Sequence, residues 1–424
     1  MKTVLTLAFT FAAAAAVAQP LTPGSSDTIT PPPGLMDALP PDALARAALE
    51  DHPDVIAAKA RLERARAEEE GYRAGSHEVE LQAATGPRDV VRDRTYYEAN
   101  AQVTRAFRLP GKARLDRETG AIGVKAAADE VDDARHQTGL MLASAWFDWI
   151  KAGAETALDD ETVRSAASAV TAMQRRVELK DAAALELDLA ASALDQARAR
   201  SAAAQGAWQQ ATLALSRGFP DLPLPARAPD LQSPAAVPAP PGGWHDAIIA
   251  RSHEIRIARY KADQQRTIAA RARLDELPDP TFGVRLSDEY GGREKTAQLV
   301  FSIPFGGRYR QSQTAGAFAM ASALEAQASL VERQIDMLAG QDVAAVDSTL
   351  AAWRASHDAL ATTEAATHRM QRAYELGEKD LSELLISNSQ LYEARRAEVD
   401  ARVAAWNAQA RLMLDSHALW ADRE

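Results

Sequence analysis

The chain has 424 residues, a formal net charge of −11 and no cysteine. The missing cysteine excludes disulfides, thiolate metal sites, a cysteine nucleophile and a lipid on an N-terminal cysteine. The acidic balance argues against nucleic acid, which needs a basic face. The composition is alanine-rich, 46% hydrophobic and only 6% aromatic, which favours helices that pack closely.

The first segment, 1–18, reads as an export signal. Lys2 precedes a short apolar run, and Ala16-Val17-Ala18 forms an A-x-A cleavage site. The run is too short for a spanning helix, and nothing later reaches ~18 uninterrupted apolar residues. Residues 19–41 are rich in Pro, Gly and Ser and are expected to be an extended, poorly ordered leader.

From residue 42 the chain is written twice. "LEDHPDVIAAK" at 49–59 matches "IARSHEIRIAR" at 249–259, and His52 matches His253. "AFRLPGKARLDRETGA" at 106–121 matches "SIPFGGRYRQSQTAGA" at 302–317, with Gly111 and Gly307 separated by 196 positions (307 − 111). The fall in offset from 201 to 196 makes the first hairpin loop about five residues longer. Repeat 1 covers 42–217 and repeat 2 covers 244–420. The Pro-rich stretch 218–243 cannot be helix and links them.

Each repeat carries a hairpin, about 78–109 and about 281–304. Val79, Leu81 and Ala83 alternate with Glu78, Glu80 and Gln82; Phe282, Val284 and Leu286 alternate with Gly283, Arg285 and Ser287. Strands of 9–12 residues with one apolar face fit either a tilted bilayer crossing or a soluble hairpin packed on helices. Four strands are too few to close a barrel alone, so spanning strands would have to be pooled from several chains.

A long helix follows each hairpin, the first from about Lys112 to about Leu179, on the order of 100 Å. In the last helix Leu385, Tyr392, Val399, Trp406, Met413 and Trp420 recur every seven residues, as do Leu384, Leu391, Ala405, Leu412 and Leu419, with Glu398 interrupting. That period predicts coiled-coil packing. The fold class expected is mainly α with a small β part.

The two-fold repeat and four stretches carry a resemblance: "LEDHPDVIAAKARLERARAE" and "LPDPTFGV" leading into the hairpins, "RLPGKAR" at the first strand–helix junction and "RAYELGEKDLSELL" near the C-terminal turn. Over 42–420 the chain resembles the TolC family of outer-membrane efflux proteins, and the junction is similar to its heavy-metal (cobalt–zinc–cadmium-type) branch. The resemblance implies a homotrimer with a twelve-strand barrel in outer-membrane lipid and a twelve-helix tunnel in the periplasm. It further implies a periplasmic adaptor (membrane fusion protein) and an inner-membrane pump of the resistance-nodulation-division type. Metal cations would be one cargo.

On that arrangement Glu80, Gln82, Asn100, Gln102, Arg285 and Gln298 would face a wet lumen. Pro110 and Gly111, and Pro304 and Gly307, would turn strand into helix, and Lys112 and Arg308 would reach the inner headgroups. Arg105, on the lipid face, would be interfacial. Arg372, Leu376, Gly377, Asp380 and Leu381, with Arg176 and Leu179 of the first tip, would meet the adaptor, or serve as ordinary turn chemistry. Lys180 stands where the second tip has Gly377, which questions equal binding at both tips. Asp380 could also help keep a gate shut.

Other chemistry finds no support in the sequence. The eight histidines show no i,i+4 pair and no HExxH, and no GxSxG, Walker or GxGxxG pattern occurs. No enzyme, metal site or cofactor is expected. The competing reading is a soluble periplasmic coiled-coil adaptor or scaffold.

Overall fold

The structure is a computed structural model describing residues 34–420, together with 29, 31 and 32. The expected export signal lies outside the described residues. The helices are α1 (Leu35–Ala38), α2 (Asp42–Glu50), α3 (Pro53–Ala74), α4 (Pro110–Glu178), α5 (Ala184–Gly218), α6 (Gly243–Arg251), α7 (His253–Leu274), α8 (Arg308–Glu375) and α9 (Leu381–Asp415). The strands are β1 (Val79–Asp89), β2 (Thr95–Ala106), β3 (Thr281–Glu289) and β4 (Glu294–Ser302). The chain is therefore mainly α with one small sheet.

The two hairpins merge into a single antiparallel sheet in the order β1-β2-β3-β4. Both β1 and β4 are edges. The longer first hairpin owes its length mainly to its strands, 11 and 12 residues against 9 and 9. The loops, 90–94 and 290–293, differ by one residue. The expectation of a longer loop is corrected on this point.

The helices α4 and α8 span 69 and 68 residues without a break. Each folds back on a 35-residue partner, α5 or α9. The heptad positions point inward: Tyr392, Ala405, Trp406, Leu412 and Met413 are all buried. Glu398, the interruption, is also buried, at 1% exposure. It accepts from Trp353 Nε1 at 3.0 Å and from Arg402 at 3.0 and 2.6 Å. A single satisfied polar group at a core position fixes coiled-coil register.

The main core lies near the middle of the long helices, where α4 and α9 meet α1, α6 and the link between the repeats. Part of the leader is helical, contrary to expectation. Leu35 is fully buried and Trp146 Nε1 donates to the Ala38 carbonyl at 2.8 Å. Apolar side chains within a Pro-rich stretch drove this ordering. The segment between α5 and α6 is free of helix, yet it is clamped on α9. Arg402, Trp406 and Gln409 donate to the carbonyls of Leu231, Gln232 and Ala235 at 3.0, 2.9 and 2.8 Å.

Candidate functional site

The sheet sorts its residues by face. Cross-strand partners Leu81, Val103, Val284 and Leu299 form one wholly apolar row. The adjacent register, Gln82, Gln102, Arg285 and Gln298, is wholly polar and faces the other way. Glu80 and Asn100 share that polar face, so all six residues expected to line a lumen come together. The apolar face is open to solvent in the single chain, with Leu299 90% and Leu81 70% exposed. Near its helical end, Phe282 packs against Phe107 and Phe301 at 5.6 and 4.9 Å between ring centroids. Arg105, on the same face, turns aside and donates to the His77 carbonyl at 3.2 Å.

The two junctions differ more than their sequences do. Pro110 is the first residue of α4, where its fixed φ and missing N–H fit. Gly111 is thus the second residue of the helix, not a bend. Gly307 is the residue before α8, and Pro304 lies in the five-residue link 303–307. Arg308 is exposed, as a headgroup contact requires.

Lys112 is not exposed. It is only 1% accessible, and its Nζ lies 2.9 Å from Asp275 and 3.0 Å from Asp279. The expectation that it snorkels outward is therefore corrected. Two carboxylates from repeat 2 draw it inward, and burial of a lone ammonium would otherwise be prohibitive. Asp279 also accepts from His77 Nε2 at 2.8 Å and from the Leu109 N–H at 3.2 Å. Arg271 bridges Asp275 and Asp116, and Arg108 closes the chain on Asp116 at 2.9 Å. Burial pushes both aspartates up, but the bonds from Arg271 and Lys112 to Asp275, and from Lys112 and His77 to Asp279, outweigh it. Both sit below the ordinary carboxylate range. Sequence reasoning missed these partners; only the Pro-Asp-Pro at 278–280 hinted at one.

At the far end of the helices, the two tips share one backbone design. Lys180 and Gly377 both adopt positive φ, 59° and 76°. The N–H of Asp181 reaches Arg176 O, and that of Glu378 reaches Ala373 O, at 2.8 and 2.9 Å. Lys180 therefore preserves the turn at a steric cost of about 1 kcal/mol. The doubt about equal tips is not a matter of backbone. Leu179 and Leu376 occupy matching positions and are 78% and 70% exposed. Leu381 is instead buried with Met173, Ala190 and Leu384, so its expected role as an outward contact is corrected. Asp380 caps α9 by accepting from the Glu383 N–H at 2.9 Å, and Glu383 returns the bond. Arg372 is exposed in the last turn of α8. Arg176 joins the tips by donating to Tyr374 Oη at 2.6 Å.

A buried polar cluster near the main core was not anticipated. His136 of α4 meets Asp415 of α9 at 3.0 Å, and Arg411 lies 3.0 Å from Asp342 of α8 and 3.4 Å from Asp415. Glu254 approaches His136 at 3.9 Å, and the His417 ring lies 4.9 Å from His136 and 4.3 Å from His253. Oδ2 of Asp342 and Oδ2 of Asp415 are both buried without a donor. Burial, and then Asp415, push Asp342 up to about 7. Burial also raises Asp415, but its bond from His136 holds it below normal; the reciprocal bond holds His136 above normal against burial. Asp129, Asp132 and His253 lie close enough to share a cation. Arg256 already donates to both Asp129 oxygens at 3.0 Å, however, and fills that role.

The sign of the pH dependence follows. A carboxyl whose folded pKa is raised from 3.8 to about 7 stabilises fully below pH 4, and that stability is lost as pH rises through 7. His136 loses its contribution in the same direction, whereas Asp415 loses its own on the acid side. Asp342→Asn removes the first effect and should be more stable than wild type at pH 8 by about 1–3 kcal/mol. At pH 4 the advantage should vanish. Thermal unfolding at both pH values checks this, and parallel pH profiles would contradict it.

No family model matches the sequence, and no curated protein matches it. Solved structures do match. CusC, studied for folding and transmembrane channel formation, gives a TM-score of 0.76 at 17% identity over 88% of this chain and 91% of that one. The outer-membrane protein VceC of Vibrio cholerae gives 0.75 at 18% identity, over 90% and 96%. The outer-membrane channel CmeC of Campylobacter jejuni gives 0.76 at 15% identity, over 95% and 90%. The chain has the fold of these channels. Coverage near nine-tenths on both sides means that the likeness extends over most of the chain.

Proposed function

We propose that the chain is one protomer of a homotrimeric outer-membrane exit duct serving tripartite efflux. One observation carries this reading: a four-stranded sheet has both edges unpaired, one face apolar and exposed, and the opposite face polar. Such a sheet is a hazard alone and complete only when closed. Three copies supply twelve strands, within the range of natural barrels. The Phe107, Phe282 and Phe301 cluster suits an interfacial aromatic girdle. No described helix is long and apolar enough to cross a membrane. On this reading the crossing belongs to the strands, and the long helices extend into the periplasm.

Six polar residues, Glu80, Gln82, Asn100, Gln102, Arg285 and Gln298, keep the lumen wet. The pair of exposed tip leucines, Leu179 and Leu376, flanked by Arg176, Arg372 and Gly377, offers the adaptor two similar apolar footholds. The pump, of the resistance-nodulation-division type by resemblance, selects the cargo. Heavy-metal cations rest on the Pro110-Gly111-Lys112 junction motif alone.

Outer-membrane fractionation followed by planar-bilayer recording tests the proposal. Trimers in the outer membrane that pass current support it. A monomer in the soluble periplasm that passes none contradicts it and favours the scaffold reading.

A further inference from the structure

We infer that Arg285 sets the ion preference of the barrel by forming a ring of three guanidinium groups that favours anionic cargo. The inference rests on the duct reading above and deepens it. Along the polar face the rows run from Glu80, Thr104, Gly283 and Val300, through Gln82, Gln102, Arg285 and Gln298, to Ala84, Asn100, Ser287 and Thr296. Beyond them, at the hairpin-loop end, Arg88 pairs with Glu98 at 3.0 Å and Glu289 at 3.7 Å, and Glu294 lies opposite Glu289, so that end carries an excess of carboxylates. In the two rows between Glu80 and that cluster, Arg285 is the one ionisable side chain.

Its charge is fixed and unpaired. A guanidinium stays protonated at any relevant pH. Its Nε and one terminal nitrogen donate to Gln102 Oε1 at 2.8 and 2.5 Å, and an amide carries no charge to cancel it. No ion pair among the described residues includes Arg285. Gln102 therefore aims the group without neutralising it, and leaves its remaining donors free.

Glu80 is the nearest carboxylate level on this face. It lies one row and two strands away, on the order of 12 Å from strand spacing and rise. That exceeds the Debye length of about 8 Å at physiological salt, so it acts as a separate ring of opposite sign. Gln82, in the row of Arg285, donates to Glu80 at 2.8 Å. Closure of three copies brings three Arg285 side chains to one height in a confined lumen, where like charges focus the field. Carboxylates, phosphates and other anionic groups gain there. A bare cation meets repulsion at that height, which sets this barrel against free metal ions as preferred cargo.

Reversal potentials of the purified trimer in a planar bilayer under a KCl gradient test the ring, with K+ and Cl− as probes. Arg285→Gln should raise the K+/Cl− permeability ratio about threefold and Arg285→Glu further, and Glu80→Gln should lower it. Current through each variant itself certifies an assembled channel. A conducting Arg285→Glu channel with an unchanged ratio overturns the ring while leaving the duct reading intact. Absence of current from the wild-type trimer overturns the duct reading, and the ring with it.

Discussion

Replacing Lys112 by alanine is expected to cost about 3–5 kcal/mol, the range for removing one partner of a buried ion pair. The loss would far exceed that of a surface lysine because the group is 1% exposed and holds two carboxylates at 2.9 and 3.0 Å. Asp279 would keep His77 and the Leu109 N–H, and Asp275 would keep Arg271, but both would lose their shared counter-ion. Lys112→Met separates charge from volume: it keeps the stem and should cost nearly as much. Adding Asp279→Asn to Lys112→Met should recover part of the loss. Denaturant unfolding measures each value. A change under 1 kcal/mol for Lys112→Ala would mean that the junction is not held by this network.

Trp406→Ala should be comparably severe. The ring is fully buried in the main core, and such truncations cost about 3–5 kcal/mol. Its Nε1 also holds the Gln232 carbonyl at 2.9 Å, a bond worth about 1 kcal/mol net. Trp406→Phe keeps most of the packing and loses the bond, so it should cost only about 1–2 kcal/mol. The alanine variant should also free the inter-repeat segment 219–242 from α9, giving new protease cleavage there. Intact resistance to protease would show that Arg402 and Gln409 suffice to clamp it.

Features with a period were legible in the sequence. Seven-residue spacing disclosed α9, and two-residue alternation disclosed both faces of the sheet, because each follows from backbone geometry alone. All six lumen-facing candidates fell on one face for that reason. Side-chain partners between the repeats were not legible. Lys112 and Asp279, or His136 and Asp415, lie far apart in sequence, and nothing local marks one as the other's counter-ion. Burial reversed the reading of Lys112 from headgroup contact to core ion pair. It likewise withdrew Leu381 from the tip surface. Lys180 shows the opposite case: a residue unsuited to a left-handed turn adopts it because the flanking helices impose the bend.

The central claim is that β1 of one chain pairs with β4 of the next. The chain has no cysteine, so introduced thiols report cleanly. Leu81→Cys, combined in turn with Ala297→Cys, Leu299→Cys and Phe301→Cys, covers neighbouring registers on the apolar face. Within one chain β2 and β3 separate these positions by about 14 Å, too far for a disulfide. Oxidised outer membranes should therefore yield a covalent trimer for at least one pair. Monomer alone from all three pairs would contradict the shared barrel.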